Sequence, residues 1–105
     1  MLFRSILSPG PYKIDNVLAE AFVVYTNKTM TGAMRGFGAP QVCFAYESQM
    51  DEIAKALGKD PLEIRLLNAF DEGSSSPTGQ VLHSVVVKET LNKAADRFGW
   101  QEPRS

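Results

Sequence analysis

The sequence predicts an α+β chain with one principal strand region, a glycine-rich loop and three helices. Three observations predict it. Residues 17–26, VLAEAFVVYT, are β-branched and aromatic with only Glu20 charged, the composition of a strand buried on most of both faces. After Pro40 the apolar residues Val42, Tyr46, Met50, Ile53 and Leu57 recur at three- and four-residue steps, the period of an amphipathic helix. Between the two lies Gly32-Ala33-Met34-Arg35-Gly36-Phe37-Gly38-Ala39-Pro40-Gln41, with three glycines around one arginine and one phenylalanine.

In chain order, residues 2–7 read as the last turns of a helix that Ser8-Pro9-Gly10-Pro11 ends, because two prolines flanking a glycine cannot continue it. The strand of residues 17–26 follows, then a polar connection over 27–31 that delivers the chain into the glycine-rich loop. Pro40 suits the first turn of a helix, so the loop ends at a helix N-terminus, where unpaired N–H groups favour an anion. Gly58 is placed to close that helix. Asp60-Pro61-Leu62-Glu63 starts the next with an N-cap aspartate and a proline at its first position, and Leu62, Leu66, Leu67 and Phe70 supply its apolar face. Lys59 alone separates the two helices, so they form a corner or hairpin. Residues 71–80 read as a surface loop and 81–83 as a short extended piece. Ser84 then caps a last helix with Val87, Leu91, Ala94, Ala95 and Phe98 on one face and Gly99 at its end. Trp100 and the residues after it have no evident partner.

Composition narrows the functional classes. At 105 residues the chain makes at most one small domain, and 44% hydrophobic with 22% charged residues is ordinary for a globular protein. A net charge of −1 without a Lys/Arg run argues against nucleic acid as a partner. The opening residues are too short and too charged for a membrane span or a signal, so a cytoplasmic location is expected. Cys43 is the one cysteine, which leaves no intramolecular disulfide, and with the single His83 it is too little for a metal site. Ser74, Ser75 and Ser76 lack a base, the loop lacks the Lys-Ser/Thr of a P-loop, and its glycine spacing is not that of a dinucleotide fingerprint. The carboxylates fall on polar helix faces and caps, where their ordinary role is solubility. On spacing alone the glycine-rich stretch reads first as a structural turn. One suggestive loop without a complete catalytic constellation points to a fragment.

The stretches Gly10-Pro11-Tyr12-Lys13-Ile14-Asp15-Asn16-Val17, Val24-Tyr25-Thr26-Asn27 and Gly32 to Gln41 resemble the large catalytic subunit of the molybdenum hydroxylases, the xanthine dehydrogenase and aldehyde oxidase family. Glu47, Met50-Asp51, Leu57-Gly58, Asp60-Pro61-Leu62-Glu63-Ile64-Arg65, Asn68-Ala69 and Pro77-Thr78-Gly79-Gln80-Val81-Leu82 continue the resemblance in register. It implies that residues 1–105 are a single, incomplete segment of a molybdopterin-binding catalytic domain. Arg35 matches the arginine of the family's A-x-R-G-F-G loop beside the molybdenum, as a neighbour and not as a side-chain ligand. Ala33 and Met34 match backbone positions lining the same cofactor pocket, and Phe37 matches the phenylalanine that lies against substrate. Met34 stands where animal enzymes often carry phenylalanine, which resembles a bacterial branch, and the absence of a cysteine in the loop argues against carbon monoxide as substrate.

The implied chemistry is hydroxylation of a carbon in a purine, another N-heterocycle or an aldehyde, with oxygen from water. The implied cofactor is molybdenum-molybdopterin, in a dinucleotide form, with iron–sulfur clusters and FAD on other domains or subunits. No residue here matches the family's general-base glutamate, so none is assigned as catalytic, and the isolated chain is expected to be inactive and to hold no cofactor. Expected partners are the remaining segments of the molybdenum subunit and the iron–sulfur and FAD subunits, with self-association through an exposed strand edge. The alternative is a noncatalytic module that docks a partner subunit and uses the loop only as a turn.

Overall fold

A computed structural model of the chain describes residues 7–30, 32 and 34–101. Most of the helix expected over residues 2–7 lies outside them, as does Ala33. Among the described residues there are three helices, α1 (Ala39–Leu57), α2 (Pro61–Asn68) and α3 (Val87–Phe98).

Helices α1 and α3 end where their sequences say they should, whereas α2 stops at Asn68: Phe70, expected on its apolar face, is buried just beyond the helix, Leu67 is 65% exposed, and Ile64 is the residue that α2 buries. Gly58 and Gly99 take left-handed φ of 64° and 66°. Lys59 N–H then reaches the Ala54 carbonyl and Trp100 N–H reaches the Ala95 carbonyl, a Schellman closure in both cases. At the start of α2, one Asp60 carboxylate oxygen accepts from Leu62 N–H at 2.8 Å and Glu63 N–H at 3.2 Å. Helix α3 differs from expectation: its N-cap is Val86, without a side-chain cap, and Ser84 sits in the preceding turn at φ 59°. Trp100 does have a partner, since its indole N–H donates to both Asp60 oxygens at 3.1 and 3.0 Å.

The expected strand is the main correction. Residues 17–26 form no helix, turn or bend, but no described segment pairs with them, and among the described residues the β structure consists of two isolated antiparallel bridges, Tyr12 to Ala69 and Ser75 to Val81. The architecture among the described residues is therefore helical and not α+β. A strand exists only as half of a ladder, so a sequence with full strand character stays unpaired when no second edge is present.

The core sits where the N-terminal arm meets α1 and α2. Its buried apolar members are Tyr12, Ala54, Ile64, Ala69 and Phe70. The expected stripe of α1 is only partly covered, with Ile53 37% and Leu57 62% exposed, and small Ala54 forms the contact because it lets α2 approach. Lys13 N–H donates to the Asn68 carbonyl and Phe70 N–H to the Pro11 carbonyl, clamping the arm to the end of α2.

One polar network holds these parts together. The Tyr12 hydroxyl donates to both Glu47 oxygens at 2.9 and 3.0 Å, and Arg65 Nε donates to Glu47 Oε2 at 2.7 Å. Arg65 also reaches Asp51 Oδ1 and the carbonyls of Pro61 and Glu47. Glu47 is thus a structural hub and not a solvated face residue. Burial first, and Glu47 second, raise the Tyr12 phenol well above its ordinary pKa. Burial and the neighbouring Cys43 thiol push Tyr46 up to about 12. Folded values above unfolded ones mean stability that is present below about pH 10 and lost as pH rises through the folded values. Urea midpoints are therefore expected to fall on going from about pH 9 to about pH 11, and Tyr12→Phe should flatten that decline. A decline of equal slope in Tyr12→Phe would remove Tyr12 as its source.

Residues 71–82 are a tied loop. Gly73 N–H bonds the Leu82 carbonyl, Leu82 N–H bonds the Ser74 carbonyl and Ser76 N–H bonds the Gln80 carbonyl. Lys13 and Lys88 flank Asp71 and hold its carboxyl below the usual carboxylate range. The expected extended piece at 81–83 is present as the Val81 bridge.

Candidate functional site

The approach to α1 is built from backbone that only glycine normally tolerates. Gly36, Phe37 and Gly38 have φ of 90°, 51° and 96°, three successive left-handed residues. A β-carbon on Gly36 would meet the Pro40 ring at 2.8 Å, so neither the space nor the φ there admits another residue. Phe37 N–H bonds the Met34 carbonyl at 3.0 Å and Ala39 N–H bonds the Gly36 carbonyl at 2.8 Å, which winds the loop into two consecutive turns. Phe37 is the costly member, because a left-handed conformation disfavours a side chain by about 1–2 kcal/mol. Strain of this kind persists where the surrounding structure over-determines it, and it concentrates at functional sites.

The outcome is a presented set of side chains. Arg35 is exposed and, among the described residues, has no ion pair or hydrogen bond. Phe37 is 71% and Met34 70% exposed, and the Met34 sulfur accepts from Gln41 Nε2 at 3.8 Å. Helix α1 starts behind them with Gly38 as its N-cap, no side-chain cap and no acidic residue in its first turn. A guanidinium without a carboxylate and an uncapped helix start both favour a negatively charged group at this end of the helix. The structure thus brings Arg35, Phe37 and Met34 to one loop; Ala33 is not described.

Behind the loop lies a cavity of about 640 Å³, bounded by Gly36, Pro40 and Tyr46 on one side and by Pro77, Thr78 and Gln80 of the tied loop on the other. Among the described residues, no charged side chain lines it. Cys43, exposed, opens onto it, and His83 stands apart, 3.4 Å from Glu72. Among the described residues no three metal-ligating side chains converge, and no helix is long and apolar enough to cross a membrane. Sequence reasoning missed the support of this end of α1, the Tyr12–Glu47–Arg65 network. Its signal was Glu47 and Asp51 one turn apart beside apolar Met50, facing the one arginine of the next helix.

A strained, glycine-framed loop thus offers a cation and an aromatic at a helix start. The chain belongs to the molybdopterin cofactor-binding domain family, whose model matches residues 2–69. It is 53% identical over 100 residues to the nicotinate dehydrogenase large molybdopterin subunit of Eubacterium barkeri, covering 90% of this chain and 24% of that one. It is 51% identical over 109 residues to the xanthine dehydrogenase molybdenum-binding subunit of Escherichia coli O157:H7, covering 97% and 14%. With the aldehyde oxidoreductase of Megalodesulfovibrio gigas it shares 48% identity over 69 residues, covering 66% and 8%. The chain therefore spans about a quarter or less of the length of these curated relatives.

Proposed function

We propose that this chain is one segment of the catalytic subunit of a molybdenum-dependent hydroxylase or dehydrogenase, carrying the loop that borders the molybdenum centre and the substrate. The observation that carries the reading is the left-handed Gly36-Phe37-Gly38 turn, which thrusts Arg35 and Phe37 outward at an uncapped helix start. The residues present fit an anionic cofactor, because the loop offers a cation free of carboxylate partners among the described residues, beside a helix start that has neither a side-chain cap nor a first-turn acid. Arg35 and the backbone at Met34 and Ala33 would hold the cofactor. When bound, that cofactor supplies the two-electron chemistry of hydroxylating a carbon with oxygen from water.

This chain's own part is positioning. The Phe37 ring gives a flat face on which a purine, another N-heterocycle or an aldehyde is oriented, and orientation of that kind removes a large part of a barrier. The Arg35 guanidinium offsets negative charge that develops at the reacting centre. The base, the donors for the pterin and its dinucleotide extension, the iron–sulfur clusters and the FAD come from other segments or subunits of a cytoplasmic enzyme. Nicotinate, xanthine and aldehydes in the names of the relatives support that substrate class.

The test places this segment in the Escherichia coli O157:H7 subunit in place of its own matching segment and expresses it in a host that makes the cofactor. Molybdenum and turnover are expected in the chimera, and no molybdenum in the 105-residue chain alone, since a site needs several converging groups. Stoichiometric molybdenum with turnover in the lone chain would overturn the segment reading. The second reading, a noncatalytic docking module, draws on the exposed apolar residues 17–26. It wins if the chimera assembles and substitution of Arg35 and Phe37 changes nothing.

A further inference from the structure

We infer that residues 17–26 are a central strand of a sheet completed by the polypeptide that carries the rest of a molybdenum subunit, inserted between two of its strands and covered on both faces. The inference rests on the segment reading above, but its test does not require molybdenum. The segment has no helix, turn or bend and forms no backbone hydrogen bond to another described residue over 17–25. Leu18 is 85%, Phe22 81%, Val23 77% and Val24 72% exposed, an apolar surface that water would not normally be left to cover.

The pattern says what kind of neighbour is missing. In an extended chain Val17, Ala19, Ala21, Val23 and Tyr25 share one face, and Leu18, Glu20, Phe22, Val24 and Thr26 the other. The first face is apolar but for the Tyr25 hydroxyl at its end and the second has one charge, so both require cover, as in a strand sandwiched between two layers. Ala19 and Ala21 leave a shallow place at the middle of the first face, suited to close approach by a packed helix. Glu20, alone in the middle of the second, calls for a basic or N–H-bearing partner there.

A second copy of this chain does not meet these needs. The described residues hold only two isolated bridges and no sheet, so two copies pair at most as a two-stranded ribbon with both faces and both outer edges wet. The polypeptide that does is the remainder of the subunit, since relatives 51–53% identical are four to seven times longer than the part this chain covers, from coverages of 24% and 14%.

The test mixes isotope-labelled chain with the Escherichia coli O157:H7 molybdenum-binding subunit lacking its matching segment, prepared without cofactor. A 1:1 complex is expected, with hydrogen exchange slowed on the order of 100-fold at consecutive amides from 18 to 25. A central strand donates to both sides, so every amide is protected. Protection of alternate amides only would mean an edge strand and would overturn the insertion. The same protection in the labelled chain alone, with dimer mass in light scattering, would assign the cover to a second copy instead, and no complex at all would also overturn it. Ala21→Trp should weaken the complex at least about tenfold by blocking the shallow face. The spectrum of α1 and α2 should stay unchanged in that variant, and wild-type binding by it would refute the close-packed face. A metal-free complex with the expected protection upholds strand insertion even where the chimera shows no activity.

Discussion

Arg65→Ala is expected to destabilise the chain by about 2–3 kcal/mol, enough to unfold most of it at room temperature. The guanidinium is 15% exposed and joins four groups across two helices: the Glu47 carboxylate, the Asp51 carboxylate, and the carbonyls of Glu47 and Pro61. Removing it leaves Glu47 half-buried beside the Tyr12 hydroxyl with its strongest partner gone. The loss is set below that of a fully buried pair because Glu47 and Asp51 stay 32% and 59% exposed. Little reserve exists to absorb it. The chain exposes 8668 Å², against about 5,800 Å² for a compact monomer of its mass, and its radius of gyration is 16.3 Å against about 13 Å. Asp51→Ala removes only the exposed arm and should cost under about 1 kcal/mol. Arg65→Lys cannot keep the fork geometry and should fall between the two. Urea denaturation followed by circular dichroism decides the order, and equal midpoints for Arg65→Ala and Asp51→Ala would refute the hub.

In the completed subunit, Arg35→Ala is expected to lower turnover by roughly 100-fold, the usual cost of one oriented electrostatic donor. Its KM should change little, because the guanidinium is read as acting on charge that develops during reaction and not on bound substrate. Phe37 should behave differently. Phe37→Ala keeps the strained φ but loses the ring, so KM rises and substrates are discriminated less, with molybdenum retained. Phe37→Gly loses the same ring and relieves the left-handed backbone, about 1 kcal/mol in favour of folding. Stability and activity are therefore expected to move in opposite directions in Phe37→Gly alone. Unaltered kinetics in Arg35→Ala and Phe37→Ala at equal metal content would take both residues out of the site.

Local chemistry was legible in the residues themselves. Gly58 and Gly99 as helix ends, Asp60 as an N-cap and Pro40 at the start of α1 each follow from one residue's backbone or side-chain options, which need no distant partner. The glycine-framed turn around Arg35 and Phe37 was legible for the same reason, and the family through its resemblance together with the stretches that flank it. Pairing and burial were not. Residues 17–26 have the composition of a strand, yet a strand is a relation between two segments, and only the tertiary structure decided that no second one is present among the described residues. Glu47 read as a solvated carboxylate because its role depends on Tyr12, 35 residues away, and Arg65, 18 away, being folded onto it. Trp100 and Asp60, 40 residues apart, meet for that reason too, where α3 packs back on α2. Conformation is set by each residue's own torsions, whereas contact is set by how the elements close on one another.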